Sequence, residues 1–511
     1  MNNIFKTFIF TAIPFVAILL LNFVHVEAND DDKKGNEEGD HDIQALVDDA
    51  IDWAHHIGLI KRCLRHMAIS DVAEFVPFAL FPSPIPRKCF TKAKELQTAM
   101  NLLYFRISQD YDFLRETLQQ VAETNAIIRD QLDILRQVQE EGGVKQQYSF
   151  VMGRSDYMCH VDDTETDGQN YSLKQIEMNI GAIGGYGRAT RATNLHRRTM
   201  AKSGANFSPD AMPSNNSEGI IVDSLYLAWQ KFGDPNALLL IVVGQAYQTF
   251  EQKQVEYLLL EKSNKQMKIV QLSLKDCDEK LVLDENDFSM RLEGKLIGVV
   301  YFRSIIVAPK PEQISARRKI ERSTAIKCPN VAMELASSKK IQQVLSLPGV
   351  VERFLPNAED EGTVVAIRST FAGLWALDRD EAESNRIIED AIKNPENYVL
   401  KPSEEGGGNN FWGQKITEKL QTFTKQQLSA YILMQRLKPL KIKNYLVRPH
   451  KRPVKLVEAV SELSTFGYLI AHGDTVLENV SDGHMVRTKQ EHITEGGIGA
   501  GGGVHDSPYL F

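Results

Sequence analysis

Residues 401–410 read KPSEEGGGNN, and the chemistry of this stretch decides the choice of fold. Its consecutive glycines let backbone N–H groups come close to a phosphate, because no Cβ atom stands in the way. Lys401 can neutralise a phosphate charge, and Glu405 can give an oxygen ligand to Mg²⁺. A flexible glycine-rich surface loop is the alternative. The spacing differs from that of a P-loop, so a nucleotide site here would belong to another fold.

Composition and charge limit the kinds of protein that the chain can be. Its 511 residues, 43% of them hydrophobic and 25% charged, can bury a large core and predict more than one lobe. The net charge of −8 and the pI near 5.9 argue against general nucleic-acid binding. Any basic residues that bind a ligand must therefore be gathered locally, in a cleft.

The N-terminus has the features of an export signal. An apolar run at residues 7–24 predicts a secretory signal peptide. The small or modest side chains that end at Ala28 fit a cleavage site, so the signal peptide would cover residues 1–28. A single membrane anchor is the alternative, although a proline and an asparagine interrupt the run. Residues 29–42 are acidic and lack apolar side chains, which predicts a disordered leader. The mature protein is then expected to be secreted and free of the membrane.

The positions of cysteine and asparagine residues bear on whether the chain is secreted. The five cysteines are scattered and odd in number, unlike the framework of a disulfide-stapled secreted scaffold. The body of the chain therefore looks like a cytosolic type of fold that carries an export signal. Asn170, Asn215 and Asn479 begin N-glycosylation sequons, which also arise by chance, so glycosylation is left open.

Apolar periodicity divides the first part of the folded chain. Between residues 43 and 141, apolar side chains recur at three- and four-residue steps, which predicts a helical layer that ends at Gly142. Alternation of strand-like and helical segments then predicts a parallel-sheet α/β unit. Its predicted elements are strands at 237–243, 268–272 and 296–302 and a helix at 250–260.

The last part of the chain is less regular. A helical stretch is predicted at 319–345, and apolar strands are predicted at 431–437 and 455–463. The glycine-rich segment 496–503 is either a second lid loop or a disordered tail.

Three strand-like segments carry polar side chains in patterns that suit a ligand site. Glu177 and Asn179 alternate with apolar residues, so they share one strand face and can share a Mg²⁺ shell. Arg487 and Lys489 place two cations on one strand face in the same way. Glu462 ends an apolar strand, where its carboxylate can accept hydrogen bonds from a ribose. A solvated surface is the alternative for each pattern.

Longer motifs, taken in order along the chain, resemble those of eukaryotic glutathione synthetase, an enzyme of the ATP-grasp type. They are residues 77–83 (PFALFPS), 154–158 (RSDYM), 175–179 (QIEMN), 321–329 (ERSTAIKCP), 339–343 (KKIQQ), 400–410 (LKPSEEGGGNN), 431–434 (YILM), 487–489 (RTK) and the glycine-rich end. The resemblance implies an α/β (α+β) ATP-grasp fold with a helical N-terminal layer, a parallel-sheet substrate subdomain and a glycine-rich lid.

The same resemblance implies a domain order and a reaction. Residues 43–218 would hold the helical part and the first ATP-grasp strands, 219–335 the substrate-binding subdomain, and 336–511 the ATP-grasp core. Residues 404–410 and 496–503 would be the lid loops. The implied protein is a homodimeric ligase that joins γ-glutamylcysteine to glycine with ATP and Mg²⁺. Its residues would act mainly by positioning the reactants and neutralising charge.

The resemblance also assigns roles to individual residues. The implied Mg²⁺ ligands are Glu177, Asn179 and Glu405, and the implied catalytic residues are Arg487, Lys401 and Glu405. The implied nucleotide contacts are Glu177, Lys339, Lys401, Gly406, Gly407, Gly408, Asn409, Asn410, Trp412, Met434, Glu462 and Lys489. The implied contacts to the peptide substrate are Arg154, Gln252, Arg303, Arg487, Ile498 and Gly499.

The peptide side departs from the family pattern. Ala182-Ile183-Gly184-Gly185 stands where the family has a serine-containing loop, and it offers no hydroxyl. Ala246-Tyr247-Gln248 replaces a Glu-x-Asn motif, Ile306 replaces a tyrosine, and Ile498-Gly499 is a milder change. Each lost partner leaves a polar group of the substrate unpaired, at a cost of about 1–3 kcal/mol. Rewritten peptide contacts beside intact nucleotide contacts predict a ligase with altered substrate specificity.

Two alternatives to that function remain open. One is a glutathione synthetase with its ordinary substrates, and the other is a secreted, non-enzymatic nucleotide-binding protein derived from the family. Together with the signal peptide, the resemblance predicts a glutathione-synthetase-like effector of a plant-parasitic nematode. Delivery into host cells would give it access to ATP, a γ-glutamylcysteine-like peptide and a small amine acceptor.

Overall fold

The computed structural model describes residues 36–162, 171–204, 207–244, 249–304, 310–357, 360–378, 382–403, 409–499 and 501–511. Some of the residues singled out above lie outside these ranges. They are the predicted signal peptide, the sequon residue Asn170, Ala246 to Gln248, Ile306, and Glu405 to Gly408.

Strands and helices are distributed along the whole of the described chain. The strands are β1 (Ile60–Arg62), β2 (Ala73–Phe75), β3 (Phe78–Ala79), β4 (Ser83–Ile85), β5 (Tyr148–Val161), β6 (Tyr171–Ile180), β7 (Leu238–Val242), β8 (Lys268–Leu272), β9 (Leu281–Leu283), β10 (Met290–Leu292), β11 (Lys295–Phe302), β12 (Ile326–Cys328), β13 (Leu374–Ala376), β14 (Tyr398–Pro402), β15 (Tyr431–Gln435), β16 (Lys441–Val447), β17 (Leu456–His472), β18 (Thr475–Gln490), β19 (Val504–Asp506) and β20 (Pro508–Leu510). The helices are α1 (Asn36–His56), α2 (Arg87–Gln109), α3 (Tyr111–Thr124), α4 (Ala126–Glu140), α5 (Tyr186–Lys202), α6 (Ser217–Phe232), α7 (Thr249–Lys262), α8 (Leu274–Lys280), α9 (Pro311–Arg322), α10 (Val331–Ala336), α11 (Lys339–Leu345), α12 (Val350–Phe354), α13 (Glu361–Thr370), α14 (Ala382–Lys393), α15 (Gln414–Thr422) and α16 (Lys425–Leu428).

A central sheet joins the two halves of the chain. Its strand order is β16-β3-β19-β18-β17-β5-β6, and its neighbours are antiparallel except for β3 and β19. The long strands β17 and β18 pair as a hairpin, and β17 pairs along its other edge with β5. Side chains from β5, β6 and β18 therefore meet although they are far apart in sequence.

A second sheet forms the predicted α/β unit. Strands β8, β7, β11 and β12 are parallel, and β9 and β10 extend the sheet in the antiparallel sense. The apolar strands expected at 237–243 and 296–302 are β7 and β11, and the expected helix at 250–260 is α7. Each residue of β7 is buried, as a strand covered on both faces requires. The predicted mixed α/β fold is confirmed.

A third, small sheet carries the residues that precede the glycine-rich loop. Strands β13, β15 and β14 are antiparallel, with β15 in the middle. Buried apolar residues of α14, α15 and β14, such as Ala391, Ile416 and Leu400, pack together against it. This packing holds Lys401 of β14 and Met434 of β15 at fixed positions on the sheet.

Several boundaries differ from the sequence-based predictions. The helical layer predicted from residue 43 is interrupted by β1 to β4, and only α2 to α4 form the regular helical run. The helix predicted at 319–345 is broken by β12, because Cys328 precedes a proline and a residue before proline avoids the helical conformation. Glu462 lies inside β17 rather than at the end of a strand.

The two ends of the folded chain also differ from expectation. Helix α1 begins at Asn36, inside the predicted leader, because packing of Val47 and Ala50 stabilises the helix and acidic residues favour its N-terminal turns. The glycine-rich segment 496–503 leads into β19, which pairs with β18 in the central sheet. The end of the chain is therefore structured, and the alternative of a disordered tail is wrong.

Three further features of the described residues concern helix length, cysteines and the predicted sequons. None of the helices there is long and apolar enough to span a bilayer. Each of the five cysteines is buried as a free thiol. The side-chain nitrogen of Asn215 donates to the His484 carbonyl at 2.9 Å, and that of Asn479 donates to the Thr98 carbonyl at 2.9 Å. A glycan on either nitrogen would disrupt these bonds.

Candidate active site

One large cavity gathers most of the predicted site residues. It has a volume of about 1130 Å³ and lies where the central sheet, the small sheet and α11 meet. The predicted residues that line it are Arg154, Glu177, Asn179, Lys339, Lys401, Asn409, Asn410, Trp412, Met434, Glu462, Arg487 and Lys489. The four predicted peptide contacts that do not line it are Gln252, Arg303, Ile498 and Gly499.

A buried carboxylate organises the floor of the cavity. Asp156 is inaccessible to solvent, and Arg154 donates to it from Nε and from one terminal nitrogen, each at 2.7 Å. Arg487 donates to the same carboxylate at 2.9 Å, and so does the Asn179 amide nitrogen at 2.9 Å. Arg487 also contacts Glu462. These bonds orient both arginines along the floor.

Strand register explains why these side chains meet. Across the β5–β6 pair, Arg154 lies opposite Asn179, and Asp156 lies opposite Glu177. Side chains two residues apart on a strand share a face, so all four can point to the same side. Sequence reasoning applied this alternation to Glu177 and Asn179 but did not select Asp156. Its position two residues after Arg154 was the available signal.

Glu177 is a partly buried carboxylate that lies among cationic side chains. Burial would raise its pKa, but the charges of Lys339, Lys401 and Arg154 lower the pKa below its usual value. The Asn179 amide nitrogen donates to Glu177 at 3.3 Å. An ionised carboxylate beside an amide is a donor set that suits a hard cation such as Mg²⁺. Among the described residues no group of three or more His, Cys, Asp or Glu side chains could hold a metal, and Glu405 remains a predicted ligand.

Three lysines approach the cavity from different elements. Lys339 is the first residue of α11 and is 7% exposed, and Lys401 on β14 is 6% exposed. The Lys401 ammonium donates to the Ile176 carbonyl at 3.3 Å, next to Glu177. Burial lowers the pKa of Lys489, whose ammonium donates to the Thr494 carbonyl at 2.9 Å. The lysine pair at the start of α11 is thus buried, unlike an ordinary surface pair.

An apolar wall completes this end of the cavity. Met434 packs with Ala372, Leu374 and Ile432 in a small apolar cluster. Trp412 lines the same cavity, and the Arg436 guanidinium lies 5.7 Å from the centre of its ring. A flat aromatic ligand can pack on such a wall while its charged groups reach the lysines.

The cavity is more positive than the protein as a whole. Its described lining carries nine cationic side chains against six carboxylates, in a chain whose net charge is −8. The cations are Arg154, Arg317, Lys339, Lys401, Arg436, Lys438, Lys441, Arg487 and Lys489, and the carboxylates are Glu177, Glu334, Glu396, Glu462, Glu491 and Glu495. This imbalance suits an anionic ligand, as the sequence predicted for a local cleft.

Arg303 does not line the cavity, although Phe302 and Ser304 on either side of it do. Its guanidinium lies 3.2 Å from the carboxylate of Glu251 and donates to the carbonyl of Ile183. Gln252, the neighbour of Glu251, is 4% exposed. Ile498 and Gly499 lie in the loop between β18 and β19. Sequence reasoning did not assign Glu251 to the site, and no local signal pairs it with Arg303.

Comparisons with known proteins agree on one family. A family model described as the ATP-binding domain of eukaryotic glutathione synthase matches residues 40–510. The chain is 34% identical to the glutathione synthetase of Rattus norvegicus over 474 residues, 91% of this chain and 97% of that protein. It is 35% identical to the Homo sapiens glutathione synthetase over 474 residues, with the same coverage of 91% and 97%.

A solved structure is similar over the same length. It is the apo form of a glutathione synthetase-like effector from Globodera pallida, with a TM-score of 0.74 and 31% sequence identity. The match covers 92% of this chain and 97% of that one.

The first prediction concerns the buried carboxylate. Asp156→Asn should lower the free energy of unfolding at pH 7 by about 3–5 kcal/mol, because it leaves the buried Arg154 without its charged partner and Arg487 with Glu462 alone. Burial raises the pKa of Asp156, but Arg154 and Arg487 lower it to about 2. An unfolded aspartate has a pKa of about 3.9, so this stabilisation is present above that pH and is lost as the pH falls towards 2. Urea-induced unfolding between pH 2 and 7 measures both effects.

Glu462→Gln is the matched control for this experiment. Glu462 contacts the same arginine, but its side chain is 14% exposed whereas that of Asp156 is fully buried. The control should therefore lose less than half as much stability. Equal losses in the two variants, or an unchanged acid dependence in Asp156→Asn, would contradict the role assigned to Asp156.

Proposed function

Because the chain belongs to the eukaryotic glutathione synthase family, we propose that it is an ATP-dependent ligase that activates a carboxylate of a γ-glutamylcysteine-type peptide and couples it to glycine or another small amine. The observation that carries this proposal is the single cavity in which Glu177, Asn179, Lys339, Lys401 and Lys489 converge. A carboxylate and several ammonium groups in one cavity suit the binding of Mg²⁺ together with a polyphosphate.

The lysines and Glu177 would have separate roles at the end of the cavity that binds the nucleotide. Lys339, Lys401 and Lys489 neutralise phosphate charge, and Met434 with Trp412 packs against the base. Glu177 and Asn179 hold Mg²⁺, with Glu405 as the further ligand that the sequence predicts. ATP supplies the phosphoryl group that activates the carboxylate. The fit is supported by the lowered pKa of Glu177, since a cation ligand must be ionised at neutral pH.

The arginines of the floor would position the reacting carboxylate. Arg487 and Arg154 are held by Asp156, so their remaining N–H groups are oriented before a substrate arrives. A carboxylate bound there accepts charge-assisted hydrogen bonds and is kept close to the phosphate end. Such preorganisation is where a ligase gains most of its rate, because the groups need no rearrangement during the reaction.

We propose altered specificity for the peptide. The segment Ala182-Ile183-Gly184-Gly185 offers no side-chain hydroxyl, and Arg303 is engaged by Glu251 and the Ile183 carbonyl. Both observations remove polar partners from the peptide side of the cavity. A site that lacks the partners of a polar substrate discriminates strongly against it.

A non-enzymatic, nucleotide-binding effector is the second candidate. The likeness to the Globodera pallida protein, which is described as a glutathione synthetase-like effector, supports the effector part of this candidate. Either function is compatible with secretion through the predicted signal peptide and with a homodimer. If the protein is secreted, mature chains that begin near Asn29 should be found by mass spectrometry outside the producing cell. Detection in its cytosol alone would contradict secretion.

The test of the ligase is ADP release by the protein that lacks residues 1–28. With γ-glutamylcysteine and glycine, turnover should be at least about 100-fold lower than that of the Rattus norvegicus relative, because several hydrogen-bond partners of about 1–3 kcal/mol each are missing. A panel of amines and carboxylate peptides should contain a pair with faster turnover. Normal turnover with glycine would contradict altered specificity, and nucleotide binding without ADP release in any mixture would favour the effector that is not an enzyme.

Lys401→Gln tests the nucleotide end directly. Loss of one charge-assisted contact of about 1.5–3 kcal/mol should weaken the binding of Mg·ATP by about 10- to 100-fold in calorimetry. The control is Lys441→Gln, a lysine at the cavity whose side chain is 65% exposed and pairs with Glu491 at 2.6 Å. Its removal should change the affinity by less than about 2-fold, because exposed ion pairs contribute little. Equal effects of both substitutions would contradict the assignment of Lys401.

A further inference from the structure

Two of the five cysteines form a pair outside the cavity. Cys89 lies in the first turn of α2 and Cys159 lies on β5, and both belong to one buried apolar cluster. The two thiols are hydrogen-bonded to each other, and Cys89 Sγ also lies 3.9 Å from the carbonyl oxygen of Tyr171 on β6. Met158 and His160, the neighbours of Cys159 on β5, line the cavity. Since successive residues of a strand point to opposite faces, Cys159 lies on the face away from the cavity.

The other three cysteines have different surroundings. Cys63 Sγ donates to the Glu74 carboxylate at 2.9 Å, a bond that holds its proton. Cys277 and Cys328 lie in two other apolar clusters. Burial raises the pKa of Cys277 to about 12, and it also raises the pKa of Cys328. A thiol that keeps its proton is a poor nucleophile, so these three cysteines are not suited to thiol chemistry.

The surroundings of Cys89 favour its thiolate instead. The hydrogen bond with the Cys159 thiol lowers the pKa of Cys89, and the charges of Lys88 and Lys92 lower it further against the effect of burial. The first turn of a long helix adds the positive end of the helix dipole. The pKa of Cys159 is raised, by its contact with Cys89 and by burial. Cys89 is therefore the thiol that ionises first, and Cys159 lies beside it as a second thiol that can attack a modified Cys89.

A thin cover separates the pair from solvent. Leu510 of β20 belongs to the same apolar cluster as the two cysteines. The next residue, Phe511, is 47% exposed and packs edge-on against the ring of Tyr171, with 6.0 Å between the ring centres. Strand β20 has three residues and pairs with β4 in a sheet of two strands. Such a small sheet is marginally stable, so its local opening would admit a small solute to Cys89 while the central sheet stays folded.

We propose that Cys89 and Cys159 are a redox-active dithiol, which a small-molecule disulfide converts into an intramolecular disulfide between α2 and β5. The Cys89 thiolate attacks one sulfur of the small disulfide and releases one thiolate, which leaves a mixed disulfide on Cys89. Cys159 then loses its proton and attacks the Cys89 sulfur, which releases the second thiolate. Two protein thiols are thus oxidised, and one small disulfide is reduced to two thiols that take up the two protons. The inference is independent of the proposed ligase function.

Such a dithiol responds to the compartment in which the chain is found. Disulfides persist in oxidising compartments, whereas a cytosol keeps thiols reduced. A bond between Cys89 and Cys159 closes a loop of about 70 residues, which restricts the unfolded chain and so stabilises the folded one. The chain would therefore carry the bond, and the added stability, in an oxidising compartment, and it would carry two thiols in a reducing one.

The test is incubation of the protein that lacks residues 1–28 with an excess of oxidised glutathione. Samples are quenched with acid, alkylated in denaturant, digested and analysed by mass spectrometry. We expect most molecules to yield a cross-linked peptide pair that contains Cys89 and Cys159, and dithiothreitol should restore both thiols. Each of the other three cysteines should react at least about 10-fold more slowly than Cys89. Full alkylation of both cysteines, a glutathione adduct without the cross-link, or equal reaction of all five thiols would overturn the proposal.

Two variants separate the steps of the reaction. In Cys159→Ala, Cys89 should keep one glutathione adduct, because the second thiol is missing. The matched control is Cys277→Ala, which removes a buried thiol of another cluster and should leave the rate of cross-linking within about 2-fold. Oxidation should raise the thermal midpoint by at least about 2 °C in the control and in the unmodified protein, but not in Cys159→Ala. An unreacted Cys89 in folded Cys159→Ala, or an equal thermal shift in all three proteins, would contradict the proposal.

Discussion

The carboxylate of Asp156 is the interaction on which the rest of the site depends. Two arginines and an amide on three strands direct their N–H groups at its two oxygens, and it has no contact with solvent. Burial of a lone charge would be very unfavourable, so the bonds must form together. Their formation requires the strand order β18-β17-β5-β6, because only this order brings the donors to one face. The polar floor and the central sheet therefore specify each other.

The lysines at the nucleotide end are related to that floor through Glu177. This partly buried carboxylate lies opposite the buried Asp156 in the strand pair, and without nearby cations the two neighbouring carboxylates would not both ionise. Lys339 and Lys401 come from elements outside the central sheet and supply the missing charge. Docking of the small sheet and α11 against the central sheet thus completes the electrostatics of the site.

Local patterns predicted the parallel-sheet α/β unit and the shared strand face of Glu177 and Asn179, whereas the ATP-grasp fold and most of the site residues were predicted from the family resemblance. The unbroken apolar run at β7 and the alternation around Glu177 are properties of short segments, and the structure agrees with both. The partners of these residues are not local. Asp156 and Arg487 are 331 residues apart, and Glu251 and Arg303 are 52 apart, so their pairing follows from the strand order and not from spacing. Apolar periodicity did not reveal that β12 interrupts the helix predicted at 319–345, because a strand of three residues gives too short a pattern.

The buried charges beside the loop after β6 are paired in the structure. Random loss on the peptide side would leave buried charges without partners, and each would reduce the stability of the fold. The structure shows matched pairs there instead, with Arg154 on Asp156 and Arg303 on Glu251, and a loop of glycines shaped to admit the second pair. These contacts join α7, the residue that follows β11 and the loop after β6 into one buried polar cluster.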